Sequence, residues 1–207
     1  MALDDPDLPM KGVAPDAEEL KELNTITIRN QRPDLEFSFL LPDGWYQQPA
    51  PPGRIDFSRE SEFAPLGVFT ATKDFVPPIA FSVGVRPAPK QGNVAEWVER
   101  HCYLNQLALQ RLEVKQFMFG WGVDALALQA SDIGPLKLRI TMFEDGGHLF
   151  VLWGTAPIKL WEPMVRTLSL CILSFELLQP KGPTAPVAPK PDPSIVGGGG
   201  ENDKQGG

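Results

Sequence analysis

Two histidines, two cysteines and the Glu144-Asp145 pair of carboxylates are where chemistry could sit in this 207-residue chain. Glu144-Asp145 lies three residues before His148, so two carboxylates and an imidazole share one short stretch, the groups that proton transfer requires. The same residues suit a tight reversal, because Asp before Gly146-Gly147 between two apolar runs is a hairpin signal. The turn reading is preferred. His101-Cys102 and His148 fall in unrelated segments and do not form the matched ligand spacing of a metal site. Neither cysteine carries a nucleophile signature and no Gly-x-Ser-x-Gly turn occurs. Gly120-Trp121-Gly122 lacks the following glycine and basic residue that cradle phosphate, and reads as a strand connection. The expectation is a non-enzyme without cofactor or metal, in which binding outweighs chemistry.

The elements that would position these residues begin with period-two patterns. Phe37, Phe39 and Leu41 share a strand face before the Pro42-Asp43-Gly44 turn. Residues 67–73 and 79–86 read as neighbouring antiparallel strands, separated by Pro77-Pro78, which cannot donate ladder hydrogen bonds. Asn93 with Glu96 resembles a capping box opening a helix to about Gln110, its stripe formed by Val94, Trp97, Val98, His101, Leu104 and Ala108. Residues 112–119, 123–130 and 136–144 are further strands. The last of these pairs through the Asp145-Gly146-Gly147 turn with a strand containing 149–153, and this pair is expected at the centre of the sheet.

A second helix follows Thr155-Ala156-Pro157, with Pro163 in its first turn, Leu160, Met164, Leu168 and Cys171 on one stripe, and a Glu162 to Arg166 ion pair. Residues 172–178 either finish it or form an edge strand. Trp45, Trp121 and Trp153 read as core anchors. Cys102 and Cys171 read as buried free thiols, a disulfide being the alternative. Together these predict a single α+β domain: an antiparallel sheet of about six strands packed with two helices.

Composition divides the chain into an acidic N-terminal extension at 1–24, a folded domain at 25–179 and a Pro/Gly-rich tail at 180–207, both ends being floppy. Residues 1–24 hold seven acids against Lys11 and Lys21, and the whole chain has a net charge of −7. No clustered basic surface is evident, which argues against nucleic acid as a partner. No basic start with an apolar run and no stretch of about 18 apolar residues is present, so the chain reads as cytoplasmic without stable membrane insertion. The tail, with its spaced prolines, reads as a spacer, a tether or a short docking segment.

One strand face combines small residues. Ala80, Ser82 and Gly84, with Phe69 and Ala71, would floor a shallow apolar groove for a hydrophobic peptide or helix. The alternative is that one of the chain's own helices covers them. In the 149–153 strand, Phe150 and Leu152 form a second apolar row opposite Leu149, Val151 and Trp153, so both faces need cover.

The order of these signatures, a strand ending in Leu41-Pro42-Asp43-Gly44-Trp45, a long helix with Trp97-Val98-Glu99, the hairpin from Met142-Phe143 to Leu149-Phe150-Val151, and a closing helix running into Ser174-Phe175, resembles the PsbP-like superfamily over residues 25–179. That superfamily also holds a Ran-binding nuclear transport factor and bacterial chaperones of type VI secretion effectors. The resemblance implies an antiparallel sheet between helices. From the chaperones it implies a protein that shields an apolar segment of a partner on its sheet, here with Phe69, Ala71, Ala80, Ser82, Gly84, Phe150 and Leu152, and it leaves open a homodimer. The acidic start and the long tail depart from that pattern. The expected function is an adaptor or chaperone for an apolar polypeptide segment; the alternatives are a docking component of a larger assembly, or a small enzyme using Glu144, Asp145 and His148.

Overall fold

The computed structural model describes residues 5–49 and 63–182. Expectations for the tail from residue 183 onward lie outside the described residues. Ten strands and two α-helices follow one another as β1 (Leu23–Ile28), β2 (Phe37–Pro42), β3 (Tyr46–Gln47), β4 (Ala64–Thr70), β5 (Ala80–Pro87), α1 (Val94–Leu104), β6 (Ala108–Phe117), β7 (Gly120–Gln129), β8 (Leu136–Asp145), β9 (His148–Pro157), α2 (Ile158–Leu173) and β10 (Glu176–Leu177). The strands form a seven-stranded sheet ordered β3-β4-β5-β9-β8-β7-β6 and a three-stranded sheet ordered β1-β2-β10. All the strand pairs are antiparallel. This is the α+β arrangement that the alternating patterns predict, with β9 and β8 at the middle of the large sheet. The strand total exceeds the expected one because β1 falls where no strand is predicted and β3 and β10 are only two residues long.

The large sheet has an apolar core on each face. On one, Phe81, Val83 and Val85 of β5 join Phe150 and Leu152 of β9 and Phe143 of β8, covered by α2 and the small sheet with its Phe37 and Phe39. On the other, Val151 of β9, Ile140 and Met142 of β8 and Val123, Ala125 and Ala127 of β7 meet Val94, Trp97, Val98 and Cys102 of α1. Alternation along each strand separates the two sets.

α1 opens with the capping box read from the sequence: the Asn93 side chain accepts from the backbone of Ala95 and Glu96, and the Glu96 carboxylate accepts from the Asn93 backbone. It ends at Leu104, not near Gln110. Gln106 takes a positive φ of 55°, the Leu107 amide donates to the Cys102 carbonyl and the Gln106 amide to that of Tyr103, which is a Schellman stop. α2 starts at Ile158, so Pro163 lies inside the helix and not in its first turn. Arg166, expected to pair with Glu162, instead holds Glu19 through both guanidinium nitrogens at 2.7 and 2.8 Å.

The N-terminal stretch also departs from expectation. Residues 5–22, read as part of a floppy extension, lie along the α2 side of the large sheet as a strap. Leu8 and Val13 are buried, and the acids Asp5, Asp7 and Glu19 pair with Arg111, Lys137 and Arg166. The acidity of this stretch has a local purpose, since the surface it crosses is rich in cations.

Candidate functional site

The carboxylate and histidine cluster resolves into turn chemistry. Asp145 accepts from the backbone of Lys181 and Gly182 at 2.6 to 3.0 Å, pinning the chain after β10 to the β8–β9 hairpin. Glu144 accepts from the Gly147 amide at 2.7 Å, closing the turn. Arg32 donates from Nη2 to His148 Nε2 at 2.8 Å, so this nitrogen is the imidazole acceptor and the ring is neutral. Burial, then the Arg32 charge, lowers the pKa of His148, and the hydrogen bond from Arg32, with Lys181 assisting, holds Asp34 down at about 2. Each of these side chains is engaged in holding the loops together. Among the described residues, no group of three or more His, Cys, Asp or Glu is arranged to hold a metal ion.

Both cysteines are free and buried. Burial pushes the Cys102 thiol up to about 11 and the Cys171 thiol higher still, which leaves neither as a thiolate nucleophile near neutral pH.

The expected groove residues do not form one surface. Phe69, Phe150 and Leu152 are fully buried on the α2 side, and Ala71 packs against the same core. Ala80, Ser82 and Gly84 point to the α1 side, because β5 registers Ser82 against Trp153 and Gly84 against Val151. The mistake is one of parity: Phe150 and Leu152 of β9 face the same way as Val83 and Val85, not as Ser82. Gly84 is also covered, since a Cβ there would lie 2.9 Å from the Phe63 Cβ and 3.2 Å from Val151. The small residue makes room for the chain's own phenylalanine.

Ser82 lies on the floor of the site. α1 packs against β6, β7 and β8. A helix with its side chains is about 10 Å across, whereas six inter-strand spacings span about 29 Å, so a single helix cannot also roof β5 and β9. Beside α1 a trough remains, with an open volume of about 410 Å3, floored by Ser82, Trp153, Thr155 and Leu138 and edged by Asn105, Leu107 and Gln129.

Its aromatic part is a triad. Phe63 meets His101 and Trp153 edge-on at centroid distances of 5.4 and 5.6 Å, and His101 lies 5.6 Å from Trp153. Arg86 stands 5.9 Å over the Phe63 ring. Asn105 Nδ2 donates to His101 Nδ1 at 3.1 Å. Burial, with a smaller contribution from the Arg86 charge, lowers His101 to about 4, so its ring is neutral at physiological pH.

A smaller cleft of about 70 Å3 continues from His101 and Phe63 past Trp97, Arg100 and Leu149. Of the tryptophans expected as core anchors, Trp45 packs on the first core and Trp153 is half-buried in the trough. Trp121 is 43% exposed, near the β6–β7 tip. The sequence marked Ser82 through the small row on β5. It gave no sign of Phe63, Asn105, Gln129 or Thr155, which come together only through sheet order.

One solved structure supports the fold. The solution structure of cyanobacterial PsbP (CyanoP) from Synechocystis sp. PCC 6803 is similar to 79% of this chain over 97% of its own, with 13% identity and a TM-score of 0.55. A crystal structure from Bacteroides thetaiotaomicron VPI-5482 matches 69% of this chain and 45% of that chain, with 13% identity and a TM-score of 0.41. No family model matches the chain, and no curated protein does. The fold is PsbP-like.

Proposed function

We propose that this protein is a polypeptide-binding adaptor whose binding surface is the trough between α1 and the β5–β9 pair. One observation carries the reading: the half of the sheet beyond α1 presents Ser82, Trp153 and Thr155 beneath an open volume of about 410 Å3, the size at which small ligands and single side chains are held. Phe63, Trp153 and neutral His101 offer apolar and aromatic contact. Ser82, Thr155, Asn105 and Gln129 offer the donors and acceptors that an extended peptide backbone needs. An apolar or aromatic side chain would sit against Trp153 while its backbone runs past the polar edge. A chaperone that shields an apolar segment of a type VI secretion effector is the form of this proposal that the sequence resemblance favours.

The test is fluorescence anisotropy of a labelled leucine-rich peptide titrated with the full chain. Saturable binding is expected. Ser82→Trp, which fills the floor of the trough, should weaken it by about tenfold, equivalent to ~1.4 kcal/mol. Binding that Ser82→Trp leaves unchanged would place the peptide elsewhere and remove the support for this reading.

A further inference from the structure

The second inference concerns the opposite face and stands independently of the trough. The strap crosses the outer strands there without joining a sheet ladder. Its contacts come instead from side chains of β6, β8 and α2. Arg111 pairs with Asp5, Lys115 Nζ donates to the Leu8 carbonyl at 3.1 Å, and Lys137 Nζ and Trp161 Nε1 both donate to Asp7 Oδ1, at 2.6 and 3.0 Å. Arg139 donates to the Pro9 carbonyl at 3.1 Å, and Leu8 is fully buried in the core below. Residues 5–8 form a turn, the Leu8 amide donating to the Asp5 carbonyl at 3.2 Å and the Asp7 amide to Asp5 Oδ1 at 2.9 Å, and side chains converging on such a segment around one apolar anchor in a pocket are a geometry of peptide recognition.

Charge makes the match specific. Beneath the strap lie Arg111, Lys115, Lys137 and Arg139, balanced within the domain by Asp124 and Glu113. That leaves two positive charges in excess, and Asp5 and Asp7 supply two negative ones. Arg139 and Asp124 are both fully buried, joined at 2.8 and 3.0 Å, so the channel is built on a rigid base. Space adjoins the described strap in two places. Beside Asp7 an open volume of about 310 Å3 lies between Arg111, Lys137 and Ile158. Beyond Met10 another of about 750 Å3 runs between the strap, Phe117, Met118 and Leu170.

We infer that this channel is a docking site for an acidic, turn-forming segment of a partner polypeptide, with two acids two positions apart and an apolar residue directly after the second, and that residues 5–10 occupy it as a built-in competitor. Exchange breaks no strand pairing, because residues 5–10 belong to no sheet ladder. An incoming segment with bulkier side chains gains the two adjoining spaces as well.

A labelled peptide spanning residues 3–15 probes the channel. Full-length protein carrying Asp5→Asn and Asp7→Asn should bind it about tenfold more tightly than wild type, because the competitor has lost its charge-assisted contacts. The gain should vanish when the peptide carries the same two substitutions, or when Lys137→Glu is added to the protein. A folded variant that binds no better than wild type overturns the proposal. So does a variant that becomes a strap-exchanged dimer excluding the peptide, since the occupant is then a second copy.

A second arm uses an otherwise wild-type chain with a protease site inserted between the exposed Asp16 and Ala17. After cutting, the strap should exchange with the labelled peptide. A cut strap that never exchanges, or a cut protein that unfolds, makes the strap an integral part of the core and overturns the inference.

Discussion

The two faces of the seven-stranded sheet are closed by different means. The α2 face is covered by a 16-residue helix, a three-stranded sheet and the strap, with phenylalanines stacked through it: Phe143 lies 4.1 Å from Phe119 and 5.2 Å from Phe150 between ring centroids. The α1 face has one 11-residue helix and a trough beside it. A polar group on the first face must find an internal partner, as Arg139 does. On the second, Ser82 and Thr155 reach open space. The α2 face is closed around a packed core, its proposed docking channel filled by the strap, whereas the α1 face leaves open the trough for which recognition is proposed.

The contrast breaks first at the buried ion pair. Arg139→Met leaves the buried Asp124 carboxylate with Lys115 and Thr141 but without its bidentate guanidinium and should cost about 3 kcal/mol, whereas Arg139→Met with Asp124→Leu should recover part of it. Urea unfolding by circular dichroism measures both; equal loss in the single and double variants would remove the pairing argument.

Two neighbours on β9 sharpen the comparison further. Phe150→Ala, on the closed face, should cost about 3–5 kcal/mol. Trp153→Ala, on the trough face, should cost less than half as much, because that ring is already partly hydrated. Denaturation midpoints at a common slope decide this, and equal costs would mean that the trough face is packed as tightly as its opposite.

The pH dependence of the trough face follows from His101. Its folded pKa of about 4 lies below an unfolded value of about 6.5. The unfolded chain therefore takes up the proton first, and stability falls as pH drops from 6.5 to 4, then levels as the folded ring also protonates. The loss is about 3 kcal/mol, and His101→Phe should flatten most of this slope while keeping the ring contacts. A slope unchanged in that variant would assign the effect to other groups.

The smallest effect tests local coding. Asn93→Ala removes the α1 cap and should lower stability by about 1 kcal/mol, read from the thermal midpoint.

Legibility in the sequence follows the range of the interactions. The Asn93 cap and the Asp145-Gly146-Gly147 hairpin depend on residues three or four apart, so their types alone located them. The end of α1 was missed because the Schellman stop uses Gln106, not glycine. The purpose of the N-terminal acids was hidden because their partners, Arg111, Lys137 and Arg166, lie over a hundred positions away. The trough was half visible: the small row at 80, 82 and 84 has a strict period of two. Which row of β9 shares its face depends on the antiparallel register of Ser82 with Trp153, which no periodicity within one strand contains.

The most direct test of the recognition face reads the indole N–H resonances of the chain's five tryptophans during titration of the full-length protein with the leucine-rich peptide. Trp153 lies in the trough and Trp161 lies under the strap, donating to Asp7. The account predicts a saturable shift of Trp153 with Trp161 unmoved. A shift of Trp161 with Trp153 stationary, or no shift at all, would contradict it.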